Sequence, residues 1–241
     1  MPIITFASSK GGAGKTTSAI ILATTLARER KVILIDADPA GRLLSWAEKA
    51  RLPGRLKVQA TQGEKLIRAE LRKAAEEAAF VLVDLEGAAT RLNAFAIGAS
   101  DLVIVPMGDE QQDAEAAIET VAQVSLESQA TRREIPVRIL FARTQAAVKS
   151  RLARSLNAQV RDRVGAFETE LHARTAIASL HNLGGTLYDM DPNEVSGVAR
   201  AISNAELFAE ELMKLLEWLK IARRSAERKT RTKEREGVRH A

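Results

Sequence analysis

Two hydrophobic periods alternate along the chain. Apolar runs of strand length occur at PIITFA (2–7), KVILID (31–36), LKVQA (56–60), FVLVDL (80–85), DLVIVP (101–106) and VRILFA (137–142). Between and after them apolar residues recur at helical spacing, over 18–30, 43–51, 64–79, 90–99, 111–130, 149–165, 174–182 and 197–222. Strand, loop and helix in repeated succession predict an α/β fold: a mostly parallel twisted sheet with helices on both faces. No internal repeat or linker interrupts residues 1–221, which read as one domain. After Arg223 the apolar period stops, and residues 222–241 read as a basic tail, either a frayed helix end or a disordered extension.

Composition narrows the picture. With 241 residues, 46% of them hydrophobic, 28% charged and only 4% aromatic, the core must be built mostly from Ala, Val, Ile and Leu. That suits helices packed on a buried parallel sheet better than an aromatic-rich sandwich. The absence of cysteine excludes disulfides, thiolate metal sites, iron–sulfur ligation and a cysteine nucleophile. The apolar start is too short for a signal sequence and no later run has the length of a membrane span, so a cytoplasmic location is expected. Residues 222–241 carry eight basic and three acidic side chains, which accounts for the entire net charge of +5. A basic tail on a neutral body points to a polyanionic partner.

The strongest chemical signal is Lys10-Gly11-Gly12-Ala13-Gly14-Lys15-Thr16-Thr17, between the first strand and the first helix. A phosphate chain needs backbone N–H groups without Cβ interference, a helix N-terminus aimed at it and a cation on its terminal phosphates. The glycines supply the first, the helix beginning near Lys15 the second and Lys15 the third, while the Thr16 hydroxyl is placed for Mg²⁺. Where the standard P-loop has its first glycine this chain has Ser9, and a second lysine, Lys10, precedes the glycines. Asp36-Ala37-Asp38-Pro39 ends the second strand and Asp84 ends FVLVD. Carboxylates there overhang the ligand crevice of a parallel sheet, where they can hold Mg²⁺ or a nucleophilic water.

The loop resembles the deviant Walker A motif, K-G-G-x-G-K-T, of the ParA/MinD class of P-loop ATPases, and IDADP resembles that family's A′ motif. This resemblance implies ATP and Mg²⁺ as ligands, with residues 11–17 around the nucleotide. It also implies a homodimer formed on ATP, in which Lys10 reaches the partner's phosphates. By the same match Asp38 orients the attacking water, Asp36 supports the Mg²⁺ and Thr16 region, and Asp84 occupies the Walker B position. Arg143 takes a place near the base. The chain departs from the pattern at Ala40, where small ParA proteins have Gln, and at Glu86 in D-L-E-G. Asp101–Pro106 followed by Asp113, then residues 169–174 and LGGTL (183–187), extend the resemblance over nearly all of residues 2–216.

What the resemblance implies is a ParA-like ATPase, weak alone and stimulated by a ParB-like centromere-binding partner, that binds non-specific DNA on the nucleoid and acts in plasmid partition. An accessory ATPase of conjugative or T-DNA transfer is the nearest alternative. Residues 132–163 hold nine basic and two acidic side chains. Lys149, Arg151, Arg154 and Arg161, with Arg223 and Arg224 of the tail, are the candidate phosphate contacts, weighed against a merely solvated helix face. The last helix, with Phe208, Leu212, Trp218 and Ile221, reads as a helix docked on the sheet, with a MinD-like membrane anchor as the competing reading. His172, His181 and His240 show no ligand spacing and read as structural or surface residues. A metabolic ligase of the same fold is disfavoured by Lys10 and the A′ motif.

Overall fold

A computed structural model describes residues 1–145 and 150–238. In chain order it contains β1 (Ile3–Phe6), α1 (Lys15–Leu26), β2 (Val32–Ala37), α2 (Arg42–Ala47), β3 (Leu56–Ala60), α3 (Ile67–Glu77), β4 (Phe80–Leu85) and α4 (Arg91–Ala99). There follow β5 (Leu102–Met107), α5 (Gln111–Thr131), β6 (Val137–Thr144), α6 (Arg151–Val164), β7 (Leu171–His172), α7 (Thr175–Leu183) and α8 (Val198–Val238). The seven strands form one sheet in the order β3-β2-β4-β1-β5-β6-β7, and every pairing is parallel.

Because successive strand residues point to opposite faces, each central strand feeds two cores. Ile4, Phe6, Leu34, Leu82, Ile104 and Leu140 pack on one face beneath α1, α2, α7 and α8. Ile33, Ile35, Val81, Val83, Val103 and Phe141 pack on the other, beneath α3, α4, α5 and α6. Burial on both faces explains why these strands read as unbroken apolar runs rather than alternating ones.

Two elements carry no periodic signal in the sequence: β7, which has only Leu171 to bury, and a 3₁₀ turn at Leu187–Asp189 closed by a capping box between Thr186 and Asp189. Helix α2 stops at Ala47, short of the expected Arg51. Helix α8 continues to Val238, past the end of its apolar period at 222. Residues 223–236 are mostly Arg, Lys, Glu and Ala with no Gly or Pro, so nothing in them stops a helix. Its Phe208 and Leu212 are fully buried, whereas Trp218 and Ile221 are 59% and 58% exposed. Among the described residues no helix is long and apolar enough to cross a membrane.

Candidate functional site

The carboxyl ends of β2, β4 and β1 stand side by side, with Asp84 opposite both Asp36 and Phe6 in register. The β1–α1 loop closes over this row. Gly12 and Gly14 adopt φ values of 75° and 100°, which a side chain would resist, and Gly14 serves as the N-cap of α1 without a capping side chain. The first N–H groups of α1 are therefore free to face an anion. Gly87, just beyond β4, comes so close to the loop that a Cβ there would lie 3.5 Å from the Gly11 nitrogen and 3.7 Å from Lys15 Nζ.

Lys15 is buried at the centre, with Nζ donating long hydrogen bonds to the carbonyls of Ser8 (3.5 Å) and Lys10 (3.4 Å). Burial lowers its pKa, and the charges of Asp84 and Asp38 work against that shift. Thr16 Oγ1 donates to Asp84 Oδ2 at 2.6 Å. Asp84 Oδ1 is buried and has no hydrogen-bond partner among the described residues. Desolvation raises the Asp84 pKa to about 7 despite the Thr16 hydrogen bond. An unpartnered buried oxygen beside a hydroxyl, at the foot of a phosphate-type loop, fits a hydrated divalent cation. Among the described residues no three acidic or histidine side chains converge on a protein-only metal cage.

Asp36 lies beside Asp84 and is engaged by the backbone of its own turn. Its oxygens accept the N–H groups of Asp38 (3.1 Å) and Leu44 (3.1 Å), so it staples the β2–α2 turn, and its burial raises its pKa. The contact with Thr16 belongs to Asp84 alone of the two. Asp38 is half-buried, with Oδ1 accepting the Ala40 N–H at 2.9 Å. Arg143 has φ 60°, and its guanidinium donates to the Gly12 carbonyl, so in this state it braces the phosphate loop. Glu86 is half-buried, and its carbonyl accepts from the Asn93 amide.

The outer flank of the loop is fastened to α5. The Ser9 N–H donates to Thr120 Oγ1 at 3.0 Å, Ser9 Oγ donates to the Ala116 carbonyl at 3.1 Å, and Lys10 Nζ donates to Asp113 Oδ1 at 2.6 Å. On the inner flank Thr17 Oγ1 lies 2.7 Å from His181 Nε2. Neither the Lys10–Asp113 pair nor the Thr17–His181 pair follows from spacing in the sequence. A separate cavity of about 790 Å³, bordered by Thr24, Arg28, Arg51 and Tyr188, contains none of these residues.

The described basic candidates lie on two helices, α6 and α8. Arg151 and Arg154 are exposed on α6. Arg161, expected on the same stripe, instead stacks over the Phe141 ring at 4.7 Å and donates to the Phe167 carbonyl at 2.7 Å, with Glu170 3.4 Å away. Arg223, at 3.4 Å from Asp101, and exposed Arg224 sit on α8, on the other face of the sheet and near the start of β5, the end remote from the P-loop. Lys149 lies outside the described residues.

Comparison with known proteins agrees with this geometry. The chain is 34% identical over 218 residues to the protein ParA of Rhizobium radiobacter, spanning 90% of this chain and 98% of that one. It is 28% identical to the protein virC1 of Rhizobium rhizogenes, over 76% of this chain and 82% of that one. Among solved structures, a Cyanothece McdA variant in complex with ATP has a TM-score of 0.73 at 18% identity, over 88% of this chain and 96% of that one. A plasmid partition protein of Borrelia burgdorferi bound to AMPPNP has a TM-score of 0.67 at 20% identity, over 88% and 98%. At such identities the structures establish the fold, a ParA/MinD-type P-loop architecture. The VirC1 protein family matches residues 1–220, and the chain belongs to that family of ParA-like proteins.

Proposed function

We propose that this protein is an ATPase that dimerises on ATP, binds DNA without sequence preference and serves as a positional switch in DNA partition. The observation that carries the ATPase reading is the Thr16–Asp84 hydrogen bond, with Asp84 Oδ1 left unpartnered beneath a glycine loop that holds Lys15. Thr16 and Asp84 would hold Mg²⁺, which supplies positive charge to the phosphates and screens the charge that develops on them. Lys15 and the N–H groups of residues 11–17 bind the phosphate chain, and Lys10 serves the partner subunit's nucleotide. Asp38 orients a water toward the terminal phosphorus. The water oxygen bonds to phosphorus as the bridging P–O bond breaks, and ADP leaves.

The useful output of such a switch is positional rather than a product, so turnover should be slow until a partner protein completes the site. A ParB-like protein is that partner in our reading. Arg151 and Arg154 on α6 and Arg223 and Arg224 on α8 supply candidate phosphate contacts with DNA. The deciding experiment is binding to non-specific duplex DNA with ADP, ATP and no nucleotide, across a salt series. Tight binding with ATP alone, absent in Lys15→Ala and prolonged in Asp38→Ala, is the expected result. No binding at low salt in any nucleotide state would remove the DNA reading.

A further inference from the structure

Among the described residues, His181 is a side chain outside the β1–α1 loop and the strand-end carboxylates that is hydrogen-bonded to the KTT run. Its Nε2 is 2.7 Å from Thr17 Oγ1, across 164 residues of sequence. The ring is half-buried, and the backbone that carries it is anchored. Lys49 donates to the His181 carbonyl, and Trp46 Nε1 donates to the Gly185 carbonyl at 3.1 Å, so α7 is pinned to α2 and the residues just after it. The approach is close: a Cβ on Gly184 would stand 2.6 Å from Lys49 Cβ and 3.0 Å from the Ala50 nitrogen. Helix α2 is in turn tied to the carboxylate turn, since the Leu44 N–H donates to Asp36.

A threonine hydroxyl has one hydrogen and two lone pairs, and a neutral imidazole has one N–H. If Nε2 accepts, the Thr17 hydrogen is spent on the ring. If Nε2–H donates to Oγ1, that hydrogen is free for an anion. We propose that His181 is a positioning residue for nucleotide binding: it donates Nε2–H to Thr17 Oγ1 and so turns the Thr17 hydroxyl hydrogen toward a phosphate oxygen. Burial, helped by the charges of Lys49 and Arg42, lowers the His181 pKa and favours the neutral ring with its single proton. Bound phosphate selects the Nε2–H tautomer, because only that arrangement gives the anion a donor. Through α2, the backbone that carries His181 is joined to the turn that carries Asp38.

This inference rests on the nucleotide-binding reading, and the test separates the two. ATP affinity is measured by calorimetry for the wild type, Lys15→Ala, Thr17→Val, His181→Leu, His181→Gln and the Thr17→Val/His181→Leu double variant. Loss of one charge-assisted hydrogen bond weakens binding by about tenfold. We expect that loss in His181→Leu, near-wild-type affinity in His181→Gln, whose amide presents an N–H at similar reach, and no further loss when His181→Leu is added to Thr17→Val. Should His181→Leu fail to fold, His181→Asn, whose amide is too short to reach Thr17, replaces it with the same expectation. Equal losses in His181→Leu and His181→Gln, or additive losses in the double variant, mark a merely structural histidine and overturn the proposal, as does wild-type affinity in His181→Leu. If the wild type and Lys15→Ala bind ATP equally poorly, it is the P-loop reading that has failed.

Discussion

Lys10 Nζ lies 2.6 Å from Asp113 Oδ1, within one subunit. The cation proposed to act in the partner's site is thus held at home, by a carboxylate in the first turn of α5 that is itself mostly buried. Glu110, 4.0 Å away, adds a weaker attraction on the exposed side. Reaching across a dimer requires Lys10 to leave this pair.

Asp113→Asn should therefore favour the ATP dimer. A partly exposed ion pair is worth about 1 kcal/mol, or roughly a fivefold change in an equilibrium constant. Sedimentation velocity with ATP across a protein concentration series should show the monomer–dimer midpoint moving down by about that factor. An unmoved midpoint would show that the pair does not restrain Lys10.

Asp84 makes the stability of the nucleotide-free protein depend on pH. Burial raises its folded pKa to about 7 from an ordinary 3.8, so the folded state holds the proton more tightly than the unfolded chain. The contribution is complete below the unfolded value and is lost as pH rises through about 7. Buried Asp36 acts in the same sense and His181, its pKa lowered by burial, in the opposite one. Thermal unfolding of the wild type and Asp84→Asn at pH 5 to 8 isolates the group: the variant should gain on the wild type toward pH 8. Parallel curves would refute the assignment.

The arginines of α6 should divide by what they touch. Arg151→Ala and Arg154→Ala are expected to lower DNA affinity and to reduce the slope of log K against log salt by about one each, with unfolding unchanged. Arg161→Ala should lower the unfolding midpoint, because it removes the cation over Phe141 and leaves the Phe167 carbonyl without its donor. Filter binding over a salt series and chemical denaturation read the two effects separately.

The last helix should divide in the same way. Phe208 is fully buried and meets Phe167 edge-on, with centroids 5.0 Å apart at 87°. Phe208→Ala is expected to cost about 3–5 kcal/mol in urea unfolding. Trp218→Ala, at a 59% exposed position, should change stability by less than about 0.5 kcal/mol. A loss of DNA or vesicle binding in Trp218→Ala would then identify an outward role for this end of α8.

The sequence announces what is local. KGGAGKTT is contiguous, and the carboxylates at the ends of β2 and β4 can be placed together because parallel strands bring their carboxyl ends to one edge. Six of the seven strands are visible as apolar runs. The contacts that tune the site are long-range: Asp113 lies 103 residues from Lys10 and His181 lies 164 from Thr17. No periodicity encodes such meetings, which arise from the packing of α5 and α7 around the loop. Arg161 shows the same thing, since it meets the Phe141 ring and the Phe167 carbonyl rather than completing a stripe with Arg151 and Arg154. Residue type and spacing indicate a charge, whereas its partners depend on the turn or ring that packing brings beside it.

The order of the strands also governs when this protein can acquire its site. Ile3–Phe6 pairs with β4 on one side and β5 on the other, and with no strand made before Phe80. On the ribosome the first strand must wait unpaired for nearly eighty residues, while β2 and β3 can already join. A nascent chain bearing KGGAGKTT thus has the residues of the loop without the sheet that shapes it. Closing that gap is a long-range, entropically costly step, which makes docking of β1 a natural late event in folding. A ligand that binds the finished loop would act on this step, drawing the chain toward the closed sheet by mass action.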